Sequence, residues 1–160
     1  MARKIAVAAA QMGPIQRDDT RVHTLDRIIT LLEQSAKQGA KLVVFPELAF
    51  TTFFPRWLLS PSELAAFTES AMPNPAVQTL FDRARDLRVA FTIGYAEQTP
   101  GALFNTAILV SPEGKTIGTY RKVHLPGSVE PRAGERFHQL EKRYFTYGDK
   151  GFPVWRAGAS

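Results

Sequence analysis

The sequence contains no cysteine, and that absence excludes more than disulfides. It removes thiolate metal sites and any thiol nucleophile from the chain itself. No apolar run approaches the ~18 residues of a membrane span. The opening Met1-Ala2-Arg3-Lys4 leads into no long apolar stretch of the secretory kind. Neither membrane insertion nor export is therefore expected, and the cytoplasm is the expected location. The three histidines, His23, His124 and His138, have no metal-ligand spacing, so no metal is expected. No glycine pattern runs from a strand into a helix, so a phosphate-cradling loop is not expected either. Charge of one sign is never concentrated. The net charge is +5, but lysine and arginine are scattered and the densest cluster, Glu141-Lys142-Arg143, contains an acid. That pattern describes a solvated basic surface rather than a nucleic-acid face.

Apolar residues are present in good supply, at 44% of 160 residues, enough for one globular domain with its own core. Lys4 to Gln11 and Lys41 to Phe45 are short apolar runs closed by Gly13-Pro14 and by Pro46, and read as buried strands. Between them Asp18, Asp19 and Thr20 offer caps for a helix carrying Val22, Leu25, Ile28, Ile29, Leu32 and Ala36, with Gly39 as its stop. Strand, amphipathic helix, strand is a parallel βαβ unit.

Glu47 to Pro61 is aromatic and proline-punctuated, and reads as a loop. Ser62 to Ser70 can form a short helix, and Pro75 opens a better one through Val77, Leu80, Phe81, Ala84 and Leu87. Val89 to Tyr95, Leu103 to Val110 and Lys115 to Tyr120 read as strands. The last two are joined by Ser111-Pro112-Glu113-Gly114 as a hairpin. After Arg121 one helical turn is expected around Gln139 to Tyr144, and a further strand from Phe152 to Trp155. The fold class is α/β.

Three residues invite chemistry. Glu47 directly follows a buried strand, where acids of α/β sheets meet the ligand crevice. With Phe45, Phe50, Phe53 and Phe54 around it, its carboxylate would be partly desolvated and suited to act as a general base. Taken alone it reads more readily as a solvated acid at a strand end. Lys122, in Tyr120-Arg121-Lys122-Val123-His124-Leu125, also follows a strand. An ammonium there can meet a developing oxyanion, a role worth about 3–4 kcal/mol. The bland alternative is a basic turn. Glu141 lies among aromatics, and its bland alternative is a salt-bridged surface turn.

Together, Phe45-Pro46-Glu47-Leu48, Phe104-Asn105-Thr106 and Tyr120-Arg121-Lys122-Val123-His124-Leu125 resemble the nitrilase (carbon-nitrogen hydrolase) superfamily along the whole chain. The resemblance implies an αββα sandwich, of which residues 1–160 would be the N-terminal half. It also implies a Glu-Lys-Cys triad in which Glu47 and Lys122 match and the chain stops short of the cysteine. Within the superfamily, Thr51-Thr52-Phe53-Phe54-Pro55-Arg56-Trp57, His124-Leu125-Pro126-Gly127 and Leu140-Glu141-Lys142-Arg143-Tyr144-Phe145 look most like N-carbamoyl-D-amino-acid hydrolases. That implies a supporting catalytic role for Glu141 and a substrate-binding role for His124. One position departs: Gln139 stands where that subfamily has histidine, and the histidine is His138.

The implied reaction splits an N-carbamoyl-D-amino acid into D-amino acid, carbon dioxide and ammonia, with no metal or organic cofactor. Without the cysteine this chain is expected to be inactive alone. Two alternatives stand beside it: another amidase of the family, of the carbamoylputrescine or β-ureidopropionate type, and a non-catalytic module that self-associates. Half a sandwich leaves an apolar sheet edge and face, so a homo-oligomer is expected.

Overall fold

The structure, a computed structural model, describes residues 4–157. Five strands form one mixed sheet in the order β1-β2-β3-β4-β5, with β1 at Val7–Ala9, β2 at Leu42–Val44, β3 at Ala90–Thr99, β4 at Ala102–Val110 and β5 at Thr116–Arg121. The first three strands are parallel, Val43 pairing with both Ala8 and Phe91. The last three form an antiparallel meander. The α/β class read from the sequence is the observed one.

The βαβ unit forms as the periodicity requires. Helix α1 (Arg21–Lys37) is capped by Thr20, whose side chain accepts from the His23 N–H at 3.2 Å. Its stripe Leu25, Ile28 and Leu32 is buried, while Val22, expected on that stripe, is 69% exposed. The crossover from β2 to β3 carries a 3-10 turn, Phe54–Arg56, and helix α2 (Pro61–Ala65). The latter is nucleated by a capping box between Ser60 and Glu63. Helix α3 (Gln78–Leu87) follows and ends on Arg88 in the left-handed region.

Helices α1 and α3 pack side by side on one face of the sheet. There Phe91 meets Phe81 edge-on at 5.4 Å and Phe45 at 6.3 Å. Each such ring contributes about 1.5–3 kcal/mol through its burial. Because strand side chains alternate, the neighbouring residues Val44, Thr92, Gly94, Asn105, Ala107 and Tyr120 present themselves on the opposite face, where they line a cavity.

A second cluster, Leu48, Phe54, Ala96, Leu103, Leu125 and Phe145, closes one end of the β3–β4 hairpin. It joins the loop after β2 to helix α4 (Glu141–Tyr144). The strand expected at Phe152 to Trp155 is not formed. Instead the Trp155 ring packs against Gly118 of β5 and Phe152 stands 6.2 Å from Tyr120. Ring packing on the sheet face takes the place of a ladder.

Candidate active site

Glu47 is placed by the backbone around it. The chain leaves β2 with the Phe45 N–H donating to the Thr92 carbonyl at 2.9 Å. The Ala49 N–H then donates to the Gly94 carbonyl at 2.9 Å, and the Gly94 N–H to the Pro46 carbonyl at 3.2 Å. This close approach requires glycine at 94, since a Cβ there would sit 2.8 Å from the Glu47 Cα and 2.9 Å from the Leu48 nitrogen. Leu48 adopts φ +48°, a left-handed conformation costing about 1–2 kcal/mol in a non-glycine residue. Its own burial at 2% exposure holds it there. The turn drives Leu48 into the second cluster and leaves Glu47 outside it.

The aromatic desolvation expected around Glu47 is therefore not found: its side chain is 43% exposed. Phe45 and Phe50 turn into the main core and Phe54 into the second cluster.

Lys122 continues β5 by one residue, its N–H donating to the Asn105 carbonyl at 2.8 Å. The preceding residue faces the other way and anchors the strand end. The Arg121 guanidinium grips Glu97 through two bonds of 2.7 and 2.8 Å and reaches Asp149 at 3.0 Å. Burial works to raise the Glu97 pKa, but hydrogen bonds from Arg121 and Thr106 prevail and hold it below the usual carboxylate range. A bidentate pair of this geometry fixes direction as well as charge, so Lys122 projects onto the open face.

Glu141 opens α4 and is 1% exposed, so the surface-turn alternative is excluded. The helix is held under the 3-10 turn by the Leu140 N–H donating to the Pro55 carbonyl at 2.8 Å. The Tyr144 hydroxyl adds bonds to the Trp57 carbonyl at 2.6 Å and from the Leu59 N–H at 2.9 Å.

The three residues meet. Lys122 Nζ donates to Glu47 Oε1 at 2.6 Å and to Glu141 Oε2 at 2.8 Å. Asn105 Nδ2 donates to both of the same oxygens, to Glu141 Oε2 at 3.2 Å and to Glu47 Oε1. Asn105 was missed as a site residue. Its signal was a lone amide inside the apolar run of β4, 4% exposed in the structure, where a buried polar group must find partners.

Burial alone would lower the Lys122 pKa. Hydrogen bonds and charge from Glu141 and Glu47 outweigh it and leave the group above its ordinary value. Lys122 is thus an ammonium throughout the neutral range. Of its three N–H donors, two are engaged and one remains for an incoming oxygen. Glu47 Oε2 has no hydrogen-bond partner among the described residues.

His124 lines the same cavity of about 490 Å3 as Glu47, Asn105 and Lys122. It is exposed and nearly parallel to the Phe152 ring at 6.2 Å. His138 stays outside this cavity. Gln139 instead offers its side-chain amide to Glu141 Oε1 at 3.5 Å, the outer limit of a hydrogen bond.

The sheet thus gathers a half-exposed carboxylate, an ammonium and a buried second carboxylate beside one strand-end cavity, where ligands of α/β sheets bind. The chain belongs to the carbon-nitrogen hydrolase family, whose model matches residues 6–159. It is 34% identical over 155 residues to a nitrilase of Pyrococcus abyssi, covering 96% of this chain and 52% of that protein. It is 28% identical over 156 residues to an N-carbamoylputrescine amidase of Oryza sativa subsp. japonica, covering 96% and 46%.

Among solved structures it superposes on the amidase of Nesterenkonia sp. AN1 with a TM-score of 0.70 and 26% identity, over 97% of this chain and 54% of that one. The structure is that of a single-residue mutant of the amidase, with acrylamide added at its active-site cysteine. The chain spans about half the length of the relatives it matches. Among the described residues no helix is long and apolar enough to cross a membrane.

Proposed function

We propose that this chain supplies the general base, the oxyanion-binding lysine and the supporting carboxylate of a carbon-nitrogen hydrolase acting on ureides. Its substrates are, first of all, N-carbamoyl-D-amino acids. The observation that carries the reading is the single Lys122 ammonium held between Glu47 and Glu141, with one donor and one Glu47 oxygen left free.

Glu47 Oε2 takes the proton of a cysteine thiol that this chain does not contain, and the thiolate attacks the ureido carbonyl. Lys122 meets the tetrahedral oxyanion with its free N–H. Glu47 returns the proton to the departing nitrogen as ammonia leaves, then draws a proton from water as the thiocarbamate is cleaved. The carbamate released breaks down to the D-amino acid and carbon dioxide. His124, on the cavity wall, contacts the substrate. No metal or organic cofactor enters these steps. The reading carries with it a cytoplasmic location. It also carries a homo-oligomer, supported by the exposed apolar residues Ile5, Val7, Val44 and Val154.

A second reading, a carbamoylputrescine-type amidase, is favoured by the likeness to the Oryza enzyme. Ammonia release from N-carbamoyl-D-phenylalanine, N-carbamoylputrescine and butyramide separates the two, measured on the whole polypeptide that carries this chain and a cysteine. The expected order places the carbamoyl amino acid first. Preference for N-carbamoylputrescine would support the second reading, and turnover of butyramide alone would contradict both. The 160-residue chain by itself should release no ammonia from any of them.

A further inference from the structure

Asn105 touches all three members of the site. Its backbone carbonyl accepts the Lys122 N–H at 2.8 Å. Its side-chain Nδ2 donates to Glu141 Oε2 at 3.2 Å and to Glu47 Oε1. Strand β4 fixes its backbone, pairing Asn105 with Ala96 of β3, and the residue is only 4% exposed.

The two oxygens that Asn105 binds are the two that Lys122 Nζ binds, at 2.6 and 2.8 Å. One charged donor and one neutral donor therefore straddle the same pair of carboxylate oxygens. Two carboxylates sharing a site repel each other, and here the ammonium and the amide together hold them in place. A carboxamide can do this in one orientation only, because its oxygen would face two anions.

The neutrality of the amide matters. A cation at position 105 would hold the carboxylates as firmly, but it would also draw down the pKa of Glu47 and weaken it as a base. An apolar residue would leave Glu47 Oε1 with the lysine alone, on a side chain 43% exposed and able to turn away into solvent. The amide supplies two N–H donors without changing the charge of the site. It engages Oε1 and leaves Oε2 without a partner among the described residues.

We propose that Asn105 is a positioning residue for the hydrolysis. It holds the Glu47 carboxylate by one oxygen so that the other is presented to the thiol, and it keeps the Lys122 ammonium centred between the two glutamates. This inference rests on the reading of Glu47 as general base, and it is independent of which amide is hydrolysed.

The test uses the whole polypeptide that carries this chain and a cysteine, with whichever of the three amides named above it hydrolyses fastest. Asn105→Leu keeps the approximate size of the side chain and removes both N–H donors. It should lower kcat about 10–100-fold while KM changes less than about threefold. Without hydrogen bonds to its charged form, Glu47 is harder to deprotonate, so the acid limb of kcat/KM should move up by about one pH unit. Asn105→Asp keeps the shape and adds a negative charge, and should move the limb in the same direction. The other charged or titratable groups around Glu47 are the same in every variant: Lys122, Glu141 and His124 on one side, Arg17, Asp18 and Arg56 on the other. A residue that merely packs would alter the folded fraction and leave the limb in place.

One measurement needs no variant to fold. In the parent both Nδ2 protons of Asn105 are bonded to carboxylates, so their resonances should exchange slowly with solvent and shift as pH crosses the acid limb. An undiminished kcat in Asn105→Leu, a limb unmoved in both variants, or an Asn105 amide exchanging as fast as an exposed one would overturn the positioning role. Glu47→Gln, measured alongside, keeps the two claims apart. Unimpaired turnover there sinks the general-base reading, whereas an inactive Glu47→Gln beside an unaffected Asn105→Leu sinks the positioning role alone.

Discussion

Two glutamates flank one lysine, and their surroundings give them different work. Glu141 is 1% exposed and accepts from Lys122 and Asn105. Removing it strands buried donors, so Glu141→Ala should cost about 2–4 kcal/mol of stability. Glu47 is 43% exposed, and Glu47→Gln should change stability by less than about 1 kcal/mol. Thermal melts of the two variants against the parent check this contrast. A large loss from Glu47→Gln would contradict the assignment of structural weight to Glu141.

The charge on Lys122 gives a second prediction. Its pKa stands above the ordinary lysine value near 10.5. The stability it gains from its partners is therefore fully present below that value and lost only as pH rises through the higher folded-state pKa. The Lys122 Cε resonance should titrate above 10.5 in the parent and move down in Glu141→Gln. An ordinary midpoint in the parent would contradict the ion-pair geometry.

At the scale of elements, the strands and the first helix could be read from the sequence because their cause is local. Alternation and 3.6-residue periodicity mark Leu42–Val44, Leu25, Ile28 and Leu32 directly. The hairpin turn at Ser111 to Gly114 was legible for the same reason. The 3-10 turn at Phe54–Arg56 was not. It is held by Phe145 and Tyr144, some ninety residues on, with ring centroids 5.8 Å from Phe54, a contact no local pattern reports. The strand expected at Phe152 to Trp155 does not form; Phe152 stands 6.2 Å from the Tyr120 ring and Trp155 packs against Gly118.

Glu47, Lys122, Glu141 and His124 were singled out through their motif contexts, whereas Asn105, though part of a motif, is placed in the site only by β4, which sets it between the carboxylates. Gly94 is the element-scale lever on the site. Gly94→Ala must push the Glu47 backbone aside and should cost about 1–3 kcal/mol. It should also weaken the Glu47–Lys122 pair. A melt combined with the Lys122 titration reports both, and an unchanged melting temperature would contradict the close packing.

Across the whole molecule, two cores divide the labour. The larger one, between α1, α3 and the sheet, makes the scaffold. The smaller one binds the loop after β2 to α4 and so brings Glu47, 75 residues from Lys122 in sequence, into register with it. The opposite sheet face carries the site and stays largely open, with Val44 39% and Val7 53% exposed.

The chain is thus a carbon-nitrogen hydrolase framework that holds the Lys122 ammonium between the carboxylates of Glu47 and Glu141. The account's central claim is that these residues act on a carbonyl as one unit. Ammonia release from N-carbamoyl-D-phenylalanine, by the whole polypeptide bearing this chain and a cysteine, tests it most directly. Glu47→Gln and Lys122→Met should each lower kcat by about 10²–10³-fold or more. Turnover undiminished in either variant would contradict the claim.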